Sequence, residues 1–213
     1  MDECWFSRNL QRDMSIGIYG NGGEPILVFP TQDAMSDNFE NFGMIETLEP
    51  YLSAGKIQLS CADTVDVETW SNVWGNKVRR AARQKKYYRY IVEEVLPFMQ
   101  TKNSRLPIVT GCSLGGLHAA ILFFRRPELF AGMLSLSGVY DAKFFFEGWS
   151  NSTLYDNSPT DFLANISTEH EYIKIYNAKK IILCVGQGRW EEEARRTTSI
   201  MRENFSVDRL LGL

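Results

Sequence analysis

Apolar and polar positions change rhythm repeatedly along this chain, and the changes mark out strands and helices in alternation. Residues 14–20 (MSIGIYG), an N-G-G turn and residues 25–30 (PILVFP) predict strand, turn, strand. Phe39, Phe42, Ile45, Leu48 and Leu52 then recur at helical spacing over 38–52, with Gly55 as a stop signal. A strand follows at 56–62 (KIQLSCA). The loop DTVDVETWSNVWGN leads from it into a long helix whose apolar face carries Tyr87, Tyr88, Ile91, Val92, Val95 and Phe98. Beyond this helix the pattern predicts a strand in LPIVTG, a helix in LGGLHAAILFFRR and a strand in AGMLSLSG. Residues 139–177 look irregular, KKIILCVG reads as a strand, and a helix is expected over 191–205.

Strands alternating with helices imply the α/β class, with a mostly parallel sheet covered by helices on both faces. The nearly continuous apolar runs PIV, MLSL and IILCV suit strands buried on both sides. Ligands of such sheets sit beyond the carboxyl ends of the strands.

Composition narrows this picture without redirecting it. The 213 residues fit a single domain spanning 1–213, and 44% hydrophobic with 23% charged residues is ordinary for a globular chain. A formal charge of −3 gives no overall attraction to nucleic acid or anionic lipid, so neither partner is expected. Lys77, Arg79, Arg80, Arg83, Lys85, Lys86 and Arg89 crowd one helix and read as a solvated face. The charged start MDECWFSRNLQRD lacks a signal-peptide core and no apolar run approaches bilayer length, so a cytoplasmic location is expected. Cys4, Cys61, Cys112 and Cys184 form no C-x-x-C pair and read as reduced thiols; no metal or other cofactor is expected.

The candidate chemistry lies in LPIVTGCSLGGLHAA, where Ser113 stands between Gly111 and Gly115 in a G-x-S-x-G string. The string has the strand before it and the helix after it that a nucleophile elbow requires, since the serine must occupy a strained turn that lifts its oxygen above the sheet. Acyl transfer at Ser113 also needs two backbone donors for the oxyanion. The first would be the amide of Leu114, and the second that of Thr31 or, by preference, Gln32, on the loop after VFP.

The blocks PILVFPTQ, FGMIETLEPYLSAGKIQL, TWSNVW, YIVEEVLPF, GCSLGGLHAA, LSLSGVYD and VGQGRWEEE resemble the esterase D-like branch of the α/β-hydrolases. That branch includes carbohydrate-side-chain esterases, S-formylglutathione hydrolases and mycolyltransferases. The resemblance implies the α/β-hydrolase fold, a small-molecule ester substrate and an acyl-serine intermediate. It makes Ser113 the nucleophile and Leu114 and Gln32 the oxyanion donors. It puts the acid after KKIILCVG, where Glu191, Glu192 and Glu193 stand, and favours Glu191 because the family's acid falls in the first turn there. Asp141 is the runner-up.

A triad histidine is harder to find. The order in this fold is serine, acid, histidine, yet the sequence holds only two histidines and both precede the acid. His118 lies five residues past Ser113, more than one helical turn away and rotated from it, and reads as structural. His170 reads as a surface residue. Family members carry the histidine in an H-D-W-like block after one more strand, whereas here only SVDRLLGL follows the last helix. The expectation is therefore a C-terminally incomplete hydrolase domain, lacking the last strand and helix, with impaired catalysis. An inactive binding relative and an acyltransferase are the alternatives. Phe144, Phe145, Phe146 and Trp149, with Trp70 and Trp74 on the earlier loop, are expected to pack against the domain rather than line a pocket.

Overall fold

The computed structural model describes residues 2–204, and the chain divides between Ile108 and Val109 into two compact units. In the first, the strand order is β1-β2-β4-β3. β1 (Asp2–Ser7) and β2 (Arg12–Tyr19) pair antiparallel, from Asp2 opposite Gly17 to Ser7 opposite Arg12. β1 is absent from the predicted elements. Its outward residues include Asp2 and its inward ones Glu3, and an edge strand tolerates such charges where a central one would not.

The strand β3 (Glu24–Phe29) does not fold back on β2 as a hairpin. The parallel partner of β3 is β4 (Ile57–Ala62), which also pairs antiparallel with β2. Between β3 and β4 the chain crosses over through α1 (Asn38–Asn41) and α2 (Met44–Ser53). The predicted single helix is broken at Gly43, whose φ of 71° leaves the helical region. Leu52 of α2 nonetheless packs where the spacing placed it, with Val28, Leu59 and Cys61.

The long helix is α3 (Lys77–Tyr90) and α4 (Leu96–Lys102), joined by a π segment at Ile91–Val95. Pro97 has no amide to donate back along the helix and its ring crowds the preceding turn, so a local widening just ahead of it is the expected relief. The basic run on α3 is only partly a solvated face. Arg80 is buried and donates from Nε to the Thr69 carbonyl (2.7 Å) and from Nη2 to that of Trp70 (2.9 Å), while Arg83 pairs with Glu68 at 2.8 Å.

In the second unit, β6 (Gly132–Leu136) lies between β5 (Ile108–Cys112) and β7 (Lys180–Cys184). β6 and β7 run parallel, with Leu136 opposite Cys184. The helix α5 (Leu114–Arg125) has every residue from Leu114 to Phe124 buried, which explains an apolar sequence with no polar stripe. Residues 139–177, irregular by sequence, hold a 3₁₀ turn at Ala142–Phe146 and the helices α6 (Ser152–Tyr155), α7 (Pro159–Ala164) and α8 (Glu171–Ala178). The last helix, α9 (Glu192–Asn204), follows a 3₁₀ turn at Arg189–Glu191. The possible strand start in SVDRLLGL lies outside the described residues. Among the described residues no helix is long and apolar enough to cross a membrane.

Candidate active site

Ser113 occupies the single residue between β5 and α5, is exposed, and has φ 57° and ψ −121°. For a residue with a side chain this backbone costs roughly 1–3 kcal/mol, so its neighbours must enforce it. Two contacts do so. The Ser113 amide donates to the Leu136 carbonyl at the end of β6 (2.8 Å), and the Ser113 carbonyl accepts from the amides of Gly116 (2.9 Å) and Leu117 (3.3 Å), starting α5. Gly111 permits the sharp return of the chain, because a Cβ there would come within 2.4 Å of the Gly115 carbonyl group. The amide of Leu114 opens α5, where first-turn amides lack helical acceptors and the helix dipole is positive.

The four acid candidates sit in different surroundings. Asp141 accepts from the Lys143 amide (3.0 Å), capping the following turn, and its other oxygen lies 3.3 Å from Arg196. Glu193 forms a close ion pair with the same Arg196, and Glu192 is exposed. Glu191 accepts at Oε2 from the Ser137 hydroxyl (2.9 Å) at the end of β6. Its carboxyl group lies against Gly186, where a Cβ would come 2.3 Å from Oε2. Burial pushes the Cys112 thiol, beside Ser113, upward in pKa, and the Glu191 carboxylate pushes it further, outweighing a hydrogen bond with the Ser113 backbone. Of the four, Glu191 is the one joined to the strand end that also holds the Ser113 amide.

The first unit holds the other oxyanion candidates. The Thr31 amide is occupied, donating to Asn38 Oδ1 (3.0 Å). Gln32 is exposed on the loop after β3, and its side-chain Nε2 donates to Ser71 Oγ (2.8 Å). Among the described residues its backbone amide donates to no acceptor. Trp70 is buried and Trp74 is 97% exposed, so the two loop tryptophans part company.

Both histidines belong to the second unit. His118 is buried on α5. His170 is exposed and caps α8, with Nδ1 accepting from the Tyr172 amide (3.2 Å) and the imidazole edge-on to the Tyr172 ring. Of the aromatic cluster, Phe146 is buried and stacks on Trp149 at 5.9 Å, whereas Phe144 stands 55% exposed. Among the described residues no group of three or more His, Cys, Asp or Glu is placed to hold a metal ion.

A strand, a strained exposed serine and a buried helix make an arrangement whose relatives can be sought in sequence and in structure. A family model described as Putative esterase matches residues 7–207. The chain belongs to that family. Membership makes it an enzyme of the esterase and hydrolase class. No curated protein matches the chain. Among solved structures, the S-formylglutathione hydrolase of Agrobacterium tumefaciens superposes with a TM-score of 0.75 at 13% identity, covering 100% of this chain and 84% of that one. FphF of Staphylococcus aureus, a fluorophosphonate-binding serine hydrolase, gives 0.67 at 12% identity, with 100% and 89% covered. The enterobactin esterase FES of Shigella flexneri gives 0.64 at 18% identity, covering 96% of this chain and 50% of that longer one. The fold of this esterase-family chain is therefore the mixed α/β fold of the α/β-hydrolases; the alternation of strands and helices predicted the α/β class, and the family resemblance implied the hydrolase fold.

Three residues around the esterase-family elbow were missed by sequence reasoning. They are Ser137, which bonds Glu191; Gly186, which makes room for it; and Arg195, whose Nη1 donates to the carbonyls of Gly186 (3.2 Å) and Gly188 (2.6 Å). The serine-glycine pair closing AGMLSLSG was the available signal, because a small polar residue at a strand's carboxyl end sits where this fold keeps its chemistry.

Proposed function

We propose that the chain is a carboxylesterase-type serine hydrolase acting on a small-molecule ester through an acyl intermediate on Ser113. The observation that carries this reading is the exposed Ser113 with φ 57° and ψ −121°, held between β5 and α5. Its Oγ would attack the ester carbonyl carbon, the carbonyl oxygen would take the negative charge, and the alcohol would leave with a proton. Water would then release the acid and restore the serine. The Leu114 and Gln32 amides are the proposed oxyanion donors; the occupied Thr31 amide supports Gln32 as the second. Glu191 is the proposed acid, supported by its bond to Ser137 and its influence on Cys112.

Neither histidine supplies the base in this reading, because His118 is buried within α5 and His170 spends Nδ1 on the cap of α8. With the described residues acting alone, turnover is expected to fall by about 10⁴ to 10⁶ against an intact triad, leaving what the oxyanion donors and binding provide. Hydrolysis of p-nitrophenyl acetate tests this. The expected result is a slow rate that drops in Ser113→Ala and rises with added imidazole beyond the rise seen in that variant. Equal rates for parent and variant, with and without imidazole, would overturn it.

A further inference from the structure

The end of β6 touches both halves of the proposed chemistry. The Leu136 carbonyl accepts the Ser113 amide (2.8 Å), and the next residue, Ser137, donates from Oγ to Glu191 Oε2 (2.9 Å). Ser137 is itself held in an unusual place. Its φ is 50°, its amide donates to the Cys184 carbonyl (2.7 Å) across to β7, and its Oγ accepts from the Gly186 amide (3.4 Å). Positive φ in a serine is costly enough that a glycine would be the easier residue if only the bend were needed.

The surroundings of Glu191 point the same way. Oε1 accepts no hydrogen bond among the described residues, while Oε2 is fixed by Ser137 alone. Arg195 tethers the backbone of the loop at Gly186 and Gly188 without touching the carboxylate. One oxygen anchored and one left open is the arrangement that lets a carboxylate orient a partner, since a saturated carboxylate has no lone pair in reach.

We propose that Ser137 is the positioning residue of this site: its hydroxyl holds the Glu191 carboxylate by Oε2, so that a single strand end sets both the serine turn and the acid. The proposal rests on Glu191 as the acid and adds the group that aims it. The donor, rather than the bend, is the reason for a serine here.

The test separates donor from bend and does not depend on turnover. Ser137→Gly keeps or eases the φ of 50° and removes the hydroxyl, and Ser137→Ala removes the hydroxyl while keeping Cβ. The readout is the pH midpoint of Cys112 alkylation, followed peptide by peptide in the folded protein, because Cys112 senses the Glu191 charge. Glu191→Gln sets the reference for a lost charge. Both Ser137 variants should move the midpoint downward toward that reference, with Ser137→Gly no less stable than the parent. A Ser137→Gly titration that overlays the parent's would overturn the proposal. Failure of Ser113 to turn over ester would count against the hydrolase reading alone, because this readout is taken at Cys112.

Discussion

Two glutamates, one in each unit, show how differently a folded chain can use the same side chain. Glu94, in the π segment of the first unit, is saturated: Oε1 accepts from Ser7 Oγ (3.0 Å) and from the amide (3.0 Å) and Nδ2 (2.9 Å) of Asn9, and Oε2 accepts from Trp5 Nε1 (3.1 Å). Glu191, in the second, takes one bond from Ser137 and keeps Oε1 open among the described residues. The first pattern ties β1 and the turn after it to a helix. The second leaves one carboxylate oxygen without a protein donor among the described residues, and so open to a further partner. The regions also differ in what shapes them, because the latch around Glu94 is made of side chains, whereas the turn at Ser113 is made largely of backbone contacts.

The sharpest way to break that contrast is to put a side chain where backbone meets backbone. Gly111→Val drives a branched Cβ into the Gly115 carbonyl group, and urea unfolding should show a loss of about 3 kcal/mol, the upper end for overpacking. Ser113 reactivity should disappear with it. A variant as stable as the parent would show that the turn is not held this way.

Removing the latch comes next. Glu94→Ala strands the donors of Trp5, Ser7 and Asn9 and should cost about 2 kcal/mol in the same measurement. Ser113-dependent ester turnover per folded molecule should not change. The parallel Glu191→Ala should do the reverse, leaving stability nearly unchanged and abolishing the gain from added imidazole.

Acid sharpens the same comparison. Burial alone would raise the pKa of Glu94, but the hydrogen bonds from the Asn9 backbone and side chain, Trp5 and Ser7 outweigh it and hold the carboxyl below its usual 4.5. A lowered folded pKa means that the stabilisation is complete above the unfolded value and is lost as pH falls through the folded one. The parent should therefore lose stability below about pH 4.5 more steeply than Glu94→Gln, read as the urea midpoint against pH.

The smallest effect is expected at Arg195. Arg195→Ala removes the donors to Gly186 and Gly188 and should cost about 1 kcal/mol, with faster amide exchange confined to the loop that carries Glu191.

Much of this was legible in the chain because the relevant signals are local. The turn at Ser113 needs a strand, two glycines and a helix within about twenty residues, and all of them stand side by side in LPIVTGCSLGGLHAA. Helical spacing located Leu52 in the core even though Gly43 splits the helix that carries it. The misses share a cause. β1 carries Asp2 and Glu3, tolerable only because the strand is an edge, and that status follows from β1 pairing with β2 alone while the far side of β2 is taken by β4. The helices between 152 and 178 have four to eight residues each, too few for a periodic pattern; their caps at Asn151 and His170 were the clearer marks. The role of Ser137 arises from a residue 54 positions away, beyond the reach of any local pattern.

The most direct measurement is intact-mass analysis with peptide mapping after prolonged incubation with a fluorophosphonate. The account predicts one adduct, formed slowly, on Ser113, and none in Ser113→Ala. An adduct on any other residue, or none on Ser113 after its turn has been shown intact, would contradict it.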